Sequence, residues 1–210
     1  MRTAPATLIH RLTSILQPLD LDGLFARLQP VEVELGSGDG SFLTRYAAAH
    51  PESNFLGVER LLGRLRKTDR KGLRAHLTNL RLVRIEASYL VQYLLPVESA
   101  RALHIYFPDP WPKRKHRRHR LLNERFPDLA ARVLRAGGRV YLRTDHADYF
   151  NQMIAVFRDD PRFTPVETPF ELSQVRTDFE DAFLANGIKT RFAAFQRHQD
   201  QTSITGPFPS

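Results

Sequence analysis

The chain contains no cysteine, and this absence excludes several chemistries. Without thiols, the protein has no disulfide, no thiolate nucleophile and no cysteine-ligated zinc site. Its eight histidines are scattered along the sequence, and none of them forms a convincing set of metal ligands. We therefore expect no metal in this protein.

Long apolar runs are also absent. No stretch approaches the roughly 20 apolar residues that a membrane-spanning helix needs, and the N-terminus lacks the apolar core of a signal peptide. We therefore expect a cytoplasmic protein without membrane contact. At 210 residues, with 42% hydrophobic and 26% charged residues, the chain suits one well-buried α/β domain.

Acidic residues are too few to balance the basic ones. The 31 lysines and arginines exceed the 23 aspartates and glutamates, which leaves a net charge of +8. Such an excess favours a polyanionic partner. A nucleic acid and a membrane surface both qualify, but the lack of any membrane-directed segment favours the nucleic acid. The oligomeric state stays open.

Strands and helices alternate along the chain from residue 30 onward. Apolar runs predict five strands, at 31–35, 54–59, 80–86, 102–107 and 139–144. Helices are predicted at 41–50, 61–77, 89–95, 121–134 and 147–158, with Gly137 and Gly138 closing the fourth. Repeated βα units at this spacing predict an α/β fold with a parallel, doubly wound sheet.

The N-terminal residues 1–29 depart from this alternation. We predict a helical lead-in there, because four apolar residues follow helical spacing: Ile9, Leu12, Ile15 and Leu16. Pro18 would stop this helix, since proline lacks the amide hydrogen that a helix needs.

The pattern changes again after Pro161. Strands near 163–166 and 189–195, with a helix near 177–186 between them, predict a closing hairpin. The polar residues 199–210 are predicted to be a flexible tail. A single domain would then span residues 30–198.

A loop of unusual composition follows the strand at 102–107. Residues 107–113 read Phe-Pro-Asp-Pro-Trp-Pro-Lys, and the basic run 114–120 comes directly behind them. Three prolines disfavour helix and sheet, so the chain must leave the sheet in a stiff loop. Asp109 and the aromatic face of Trp111 suit a flat, polar ring, and the cations suit its phosphate backbone. Trp111 could stack on a base or act as a hydrophobic plug.

Glycines mark the turn between the first strand and the first helix of the alternation. Residues 34–40 read Glu-Leu-Gly-Ser-Gly-Asp-Gly, where glycine allows a sharp turn and close approach of a ligand to the main chain. A dinucleotide fingerprint would place its third glycine three residues after the second, but position 41 is serine. The turn therefore favours a cofactor without phosphates. S-adenosylmethionine fits, because Glu34 can meet its cationic amino-acid end.

Two further acids stand at strand ends. Glu59 follows the glycines by about 20 residues, where a carboxylate can accept hydrogen bonds from both ribose hydroxyls of a nucleoside. Glu86 ends the third strand and could face an adenine edge. Strand-end acids also commonly cap helices, but three of them at successive strand ends favour a cofactor site.

A second basic feature lies on the helix after Glu59. Five cations follow helical spacing and form one stripe: Arg60, Arg64, Lys67, Lys71 and Arg74. A solvated helix face and an auxiliary contact with nucleic-acid phosphates are both compatible with this stripe.

Together these motifs resemble the bacterial tRNA (guanine-N7)-methyltransferase family across residues 30 to 198. The resemblance depends on ELGxGxG at 34–40, GVE at 57–59, FPDPWPK at 107–113, TDxxxY at 144–149 and TxFE at 177–180. It implies a Rossmann-like class I methyltransferase fold, with a mostly parallel seven-stranded sheet and helices on both faces. It also implies S-adenosylmethionine as methyl donor and tRNA as substrate, methylated at guanine 46 of the variable loop.

The resemblance assigns roles by position. It implies that Asp109 is catalytic and that five residues bind the cofactor: Glu34, Gly36, Glu59, Glu86 and Asp109. It implies substrate contacts from Lys113, Asp145, Thr177, Asp178, Phe179 and Glu180. RNA contacts would come from Lys115, His116, Arg117, Arg118, His119 and Arg120. The chain departs from the family at Glu86, where many members have aspartate, and at His119, which interrupts a run of lysines and arginines.

The chemistry of the expected target agrees with these residue types. Guanine N7 carries a lone pair and no proton, so methyl transfer needs alignment and electrostatic support but no general base. Asp109 and Asp145 should flank one crevice at adjacent strand ends, where a carboxylate suits the positive charge that the base acquires. Three alternatives remain open: methylation of an exocyclic amine, an RNA-binding protein with a vestigial pocket, and a dehydrogenase, which the glycine spacing disfavours.

Overall fold

A mixed β-sheet forms the centre of the molecule. A computed structural model describes residues 6–199 of the chain. The strands are β1 (Ile9–His10), β2 (Val31–Leu35), β3 (Asn54–Val58), β4 (Leu80–Val83), β5 (Ala100–Tyr106), β6 (Leu134–Thr144), β7 (Phe163–Val166) and β8 (Arg191–Arg197). They lie in the order β1-β4-β3-β2-β5-β6-β8-β7.

Parallel pairing dominates this sheet. Strands β1 to β6 pair in parallel, and β8 is antiparallel to both β6 and β7. The α/β, doubly wound fold and its closing hairpin are therefore confirmed. The expected number of seven strands is exceeded by one, because β1 adds to the edge of the sheet beside β4.

Helices connect the strands and cover the sheet. They are α1 (Leu21–Leu24), α2 (Ser41–Ala49), α3 (Leu62–Arg74), α4 (Ala87–Tyr89), α5 (Phe126–Val133), α6 (Ala147–Arg158), α7 (Phe170–Gln174) and α8 (Asp178–Ala185). A π-helical turn (Leu90–Leu94) continues α4, and a 3₁₀-helix (Arg114–His119) carries most of the basic run. No helix among residues 6–199 has both the length and the apolar character needed to cross a membrane.

The prediction of a helical lead-in is wrong. Ile9 pairs with Leu82, and His10 pairs with Val83, so this segment is an edge strand. Asp69 of α3 accepts a hydrogen bond from the Leu8 amide at 2.7 Å and helps to hold the strand. Pairing with the open edge of β4 outweighs the helical spacing of four apolar residues. Residues 1–5 lie outside the described part of the chain.

The two glycines expected to end a helix lie inside a strand instead. Helix α5 ends at Val133, and β6 begins at Leu134. The register between β5 and β6 shifts there, since Ala100 pairs with Leu134 and Ala102 with Arg139. Gly137 has a φ of +74°, which suits glycine in such an irregular stretch of strand. The glycines therefore accommodate a bulge. Residues 200–210 of the predicted tail lie outside the described part of the chain.

Strand β2 separates two apolar layers and places its acids in one of them. Val31 and Val33 pack into the cluster that contains helices α5 and α6. Glu32 and Glu34 alternate with them and face the opposite layer, which includes Phe42 of α2. Glu34 therefore starts inside the protein, at the end of β2 that leads into the glycine turn.

Candidate active site

Two cavities lie at the carboxyl ends of the central strands. The first cavity, about 250 Å³, lies between Glu59, Glu86 and Trp111. The second cavity, about 380 Å³, lies between the glycine turn 36–40 and the start of α8. Asp109 lines both of them. This is the edge of a parallel sheet at which α/β proteins bind their ligands.

The glycine turn exposes its main chain to the cavities. Gly36, Gly38 and Gly40 all have positive φ, at 85°, 55° and 75°. A Cβ added to Gly36 or Gly38 would meet nothing within 4 Å, so open space lies in front of this main chain. A Cβ on Gly40 would instead come within 2.3 Å of Thr68, so Gly40 is needed for packing against α3. The first two glycines thus form a cradle that a ligand can fill.

Glu34 is a buried acid at the bottom of the second cavity. Its Oε2 atom has no hydrogen-bond partner within the described part of the protein. Burial raises the pKa of Glu34 to about 8, against the opposing charge of Arg143 and with support from Asp39 and Glu59. An unpartnered acid of this kind suits a cationic group of a ligand. The ammonium group of S-adenosylmethionine has the required charge, so Glu34 and the glycine cradle fit that cofactor.

Glu59 and Glu86 line the first cavity and also bond to the main chain. Glu59 accepts hydrogen bonds from the Gly38 amide at 3.1 Å and from the Leu61 amide at 2.7 Å. Glu86 caps α4 by accepting from the Tyr89 amide at 2.9 Å, and it also contacts Ser88. Glu86 therefore has the helix-capping role that strand-end acids commonly have. Each carboxylate has further lone pairs for a ligand, since its two oxygens offer about four acceptor sites.

Asp109 and Asp145 meet at the second cavity, as their strand positions predict. Both line it, because β5 and β6 are adjacent and Tyr106 pairs with Arg143 at their carboxyl ends. Within residues 6–199, neither carboxylate forms a side-chain hydrogen bond or ion pair. Phe107 and Trp111 enclose the Asp109 loop with positive φ values of 49° and 43°, which are rare for bulky residues. The loop is thus held in a strained shape that presents a free carboxylate.

The segment 177–180 divides into anchoring residues and one exposed ring. Thr177 and Glu180 form a capping box at the start of α8, through hydrogen bonds of 3.1 and 2.7 Å. The Glu180 carboxylate also pairs with Arg143 at 3.0 Å, and both side chains are buried. Phe179, by contrast, is half exposed and lines the second cavity. Phe179 is therefore the member of this segment best placed to touch a substrate.

Asp178 connects the same segment to the cofactor side of the site. Its amide donates to Ser41 at 3.0 Å, and its carboxylate pairs with Arg45 at 3.4 Å and Lys71 at 3.5 Å. Lys71 also binds Asp39 of the glycine turn at 2.8 Å. Asp178 thus holds α8 against the glycine turn.

Several residues of the site were not found from the sequence. Phe183 lines the second cavity beside Phe107, at a ring distance of 5.6 Å. Its spacing of four residues from Phe179 on α8 was the signal that could have revealed it. Arg64, which the sequence assigned only to the basic stripe after Glu59, lines both cavities, and buried Arg143 holds Glu180. No sequence signal distinguishes Arg143 from an exposed arginine.

The basic run is exposed over most of its length. Lys113, Lys115, Arg118 and His119 are exposed, and His116 is half-buried. Arg117 is exposed as well, and it pairs with Asp148 at 3.2 Å. Trp111 lies close to two histidines of the run and lines the first cavity, so it faces the side of Glu59 and Glu86. The predicted RNA-binding face is available at these positions.

Arg120 does not belong to that exposed face, which corrects its predicted RNA contact. It is 1% exposed and donates to the Pro110 carbonyl at 2.7 Å, to Gln152 at 2.6 Å and to Asp148 at 2.7 Å. Its guanidinium also lies 4.6 Å from the Tyr149 ring centre. Arg120 therefore fastens the loop of Asp109 to α6.

The sequence of this chain is similar to those of known methyltransferases. Residues 28–192 match a family model described as "Putative methyltransferase". The tRNA (guanine-N(7)-)-methyltransferase of Syntrophotalea carbinolica is 33% identical over 91% of this chain and 84% of its own length. The enzyme of the same name from Halorhodospira halophila is 41% identical over 69% of this chain and 63% of its own length.

Solved structures show the same fold at low sequence identity. The 30S ribosomal A1408 methyltransferase from an uncultured bacterium superposes with a TM-score of 0.60 and is 17% identical. The match covers 85% of this chain and 92% of that protein. At this level of identity the likeness concerns the fold.

Proposed function

Because the chain belongs to the tRNA (guanine-N7)-methyltransferase family, we propose that it methylates N7 of guanine 46 in the variable loop of tRNA, with S-adenosylmethionine as donor. The observation that carries the proposal is the position of Asp109. Its unpaired carboxylate stands in the wall shared by the two cavities, directly in front of the exposed basic run. With tRNA as its substrate, the protein would act in the cytoplasm.

The residues around both cavities would hold the cofactor. Glu34 would bind its ammonium group, the main chain at Gly36 would approach it closely, and Glu59 would accept hydrogen bonds from the ribose hydroxyls. Glu86 and Asp109 would complete the contacts at the first cavity. S-adenosylmethionine, when bound, supplies an electrophilic methyl group on a sulfonium.

The second cavity would receive the guanine. N7 bears a lone pair and no proton, so the protein has no proton to remove and acts by alignment and electrostatics. Asp109 and Asp145 would stabilise the positive charge that the ring acquires. One of these carboxylates would also accept hydrogen bonds from N1–H and the 2-amino group, which selects guanine over adenine. Phe179 would cover the base from the side of α8.

The basic run would position the rest of the tRNA. Phosphate contacts fix the register of a nucleic acid without reading its sequence. Lys113, the half-buried His116 and the exposed members of the run would provide these contacts: Lys115, Arg117, Arg118 and His119. Thr177, Asp178 and Glu180 would act indirectly, by holding Phe179 at the cavity.

A methylation assay with nucleoside analysis tests the proposal. Labelled S-adenosylmethionine is incubated with a tRNA transcript that carries guanine at position 46 and with one that carries adenine there. We expect 7-methylguanosine from the first transcript and no product from the second. Equal labelling of both, or methylation of an exocyclic amine, would overturn the assignment of the target atom.

Substitution of Asp109 tests its part in the reaction. Asp109→Asn should lower turnover by roughly 10²-fold, the scale of losing one preorganised electrostatic group. Asp159→Asn provides the matched control, because Asp159 is an exposed acid at the end of α6. Near-normal turnover of a folded Asp109→Asn variant would reduce Asp109 to a turn residue.

A further inference from the structure

We propose that helix α3 forms a second contact surface for the RNA phosphate backbone, opposite the basic run. This α3 surface consists of Arg64, Lys67, Arg70 and Arg74 of the helix and of Arg60, which precedes it. The inference rests on the proposed function, since it extends the footprint of the same tRNA. It is carried by three observations: the missing counter-charges, the position beside the cavities, and the lack of exposed apolar residues between Arg64 and Arg74.

The α3 surface lacks partners for its charges. Helix α3 has the sequence LGRLRKTDRKGLR, with six cations and a single acid. That acid, Asp69, is turned towards the N-terminal strand, where it bonds to the Leu8 amide at 2.7 Å and to Thr7 at 3.1 Å. All five members of the surface are exposed, and within residues 6–199 none of them forms an ion pair. Like charges three or four residues apart destabilise a helix by about 0.2–0.5 kcal/mol per pair, so such a face is unfavourable without a polyanion.

Three exposed arginines elsewhere on the protein show how ion pairs neutralise such charges. Arg45 pairs with Asp178, Arg162 pairs with Asp160, and Arg176 pairs with Asp181. Lys71, on α3 itself, is withdrawn from the stripe seen in the sequence, because it binds Asp39 at 2.8 Å. The structure thus separates one structural lysine from its neighbours, which stay unpaired.

The α3 surface begins at the mouth of the site. Arg60 and Arg64 line the first cavity, and Arg64 also lines the second. Trp111 and His119 line the first cavity as well, so the basic run and α3 border the same opening. From there α3 extends away for about 20 Å, at 1.5 Å per residue, which is enough for several phosphates of one strand. A nucleotide inserted between the two elements would have cations beside its backbone in both directions.

The composition of the surface favours RNA over a lipid membrane. Helices that bind membrane surfaces place large apolar residues opposite or between their cations and insert them into the lipid. Leu65 of α3 is buried against the protein and Leu73 is half-buried, whereas the exposed residues of α3 from Arg64 to Arg74 are all cations. Leu61, which is exposed, lies before the helix at the mouth of the first cavity. Phosphate contact without insertion is the mode that such a face supports.

The test compares two triple variants with equal loss of charge. Lys67→Gln, Arg70→Gln and Arg74→Gln remove three cations of the α3 surface that do not line either cavity. Arg27→Gln, Arg135→Gln and Arg158→Gln are the control, because these exposed arginines lie outside the α3 surface, outside the basic run and outside both cavities. For each variant, tRNA affinity is measured across a salt series, S-adenosylmethionine is titrated in parallel, and binding to anionic vesicles is measured by sedimentation.

We expect the α3 variant to flatten the slope of log affinity against log salt by about 0.7 to 0.9 per lost contact, hence by about 2.1 to 2.7 for three contacts. Cofactor affinity should stay within twofold of wild type, and the control should keep the wild-type slope. Equal slopes for both variants would overturn the inference while the proposed function stands. Loss of vesicle binding with an unchanged tRNA slope would assign the surface to lipid instead. A wild-type protein that binds no tRNA would overturn both, whereas binding without methylation would affect only the proposed function.

Discussion

Buried and exposed arginines near the carboxyl ends of the strands differ in what they bind. Two arginines are buried. Arg143 binds Glu180 at 3.0 Å and the Val175 carbonyl at 2.8 Å, and Arg120 binds three groups at 2.6 to 2.7 Å. Two others are exposed: Arg117 has one ion pair, and Arg118 has none among the described residues. The buried pair shapes the site, and the exposed pair stays available to a polyanion.

The difference follows from the surroundings of each charge. Removing one partner of a buried ion pair leaves the other charged in a poorly solvated place, at a cost of about 3–5 kcal/mol. An exposed ion pair contributes only about 0–1 kcal/mol, because water solvates both partners when they separate. Buried arginines should therefore affect stability when they are replaced, and exposed ones should affect RNA binding.

The largest effect is expected at Arg143. Arg143→Met should lower the free energy of unfolding by about 3–5 kcal/mol, because it leaves Glu180 charged and buried without its partner. Chemical denaturation measures this change. Arg135→Met, at an exposed position of the same strand, should stay within about 0.5 kcal/mol of wild type. Similar losses in the two variants would abolish the distinction between buried and exposed arginines.

Arg120 should have the next largest effect. Arg120→Gln should lower the free energy of unfolding by about 1–3 kcal/mol, since the Pro110 carbonyl and Asp148 lose hydrogen bonds. Turnover should fall with it, because the loop of Asp109 loses its attachment to α6. The salt dependence of tRNA binding should not change. A flatter salt slope in this variant would show that Arg120 reaches the RNA after all.

Glu34 provides a pH test of the buried region. Its pKa of about 8 lies above the ordinary value of 4.5, so the folded protein binds a proton more tightly than the unfolded chain does. Stability from this group is complete below pH 4.5 and is lost as the pH rises through 8. A cationic ligand favours the ionised form, so cofactor affinity should rise by up to about tenfold per pH unit below pH 8 and then level off.

Glu34→Gln separates these two consequences. The variant should lose this part of the pH dependence of both stability and cofactor affinity, because glutamine does not titrate. Calorimetric titration of S-adenosylmethionine between pH 6 and 9, paired with thermal unfolding, measures both. A wild-type affinity that is flat across this range would contradict a neutral Glu34 in the free protein.

The smallest effect on stability is expected at Arg117. Arg117→Ala should change the free energy of unfolding by no more than about 1 kcal/mol, because its ion pair with Asp148 is exposed. The salt slope for tRNA should nevertheless flatten by about 0.7 to 0.9. Measuring both quantities for Arg117→Ala and Arg120→Gln gives opposite patterns if the two regions differ as described. If both variants changed stability and salt slope in the same way, the distinction between buried and exposed arginines would be wrong.

Local sequence patterns predicted much of the frame. The alternation of apolar strands with helices located β2 to β6 and the closing hairpin, because backbone geometry and burial impose their periods over short distances. The strand ends then placed Asp109 and Asp145 side by side, since neighbouring parallel strands end at the same edge. The glycine turn at 36–40 was equally local.

Features that depend on distant partners could not be predicted in this way. Ile9 is the first of four apolar residues with helical spacing, but residues 9–10 pair with β4, more than 70 residues further along the chain. Lys71 and Lys67 belong to one stripe, yet only Lys71 meets Asp39 and Asp178. A pattern of residues on one helix contains no record of which acids another element brings towards it.

The sequence by itself determined the fold class, the family and the loop that carries Asp109, because strand periods, glycine turns and proline-rich loops are set by neighbouring residues. Only the tertiary structure decided which charges are buried. Arg117 and Arg120 stand three residues apart in one basic run, and the first is exposed while the second is enclosed by Pro110, Asp148 and Gln152. The role of a charge depends on solvation and on its partners, and both arise from contacts between segments that are far apart in the chain.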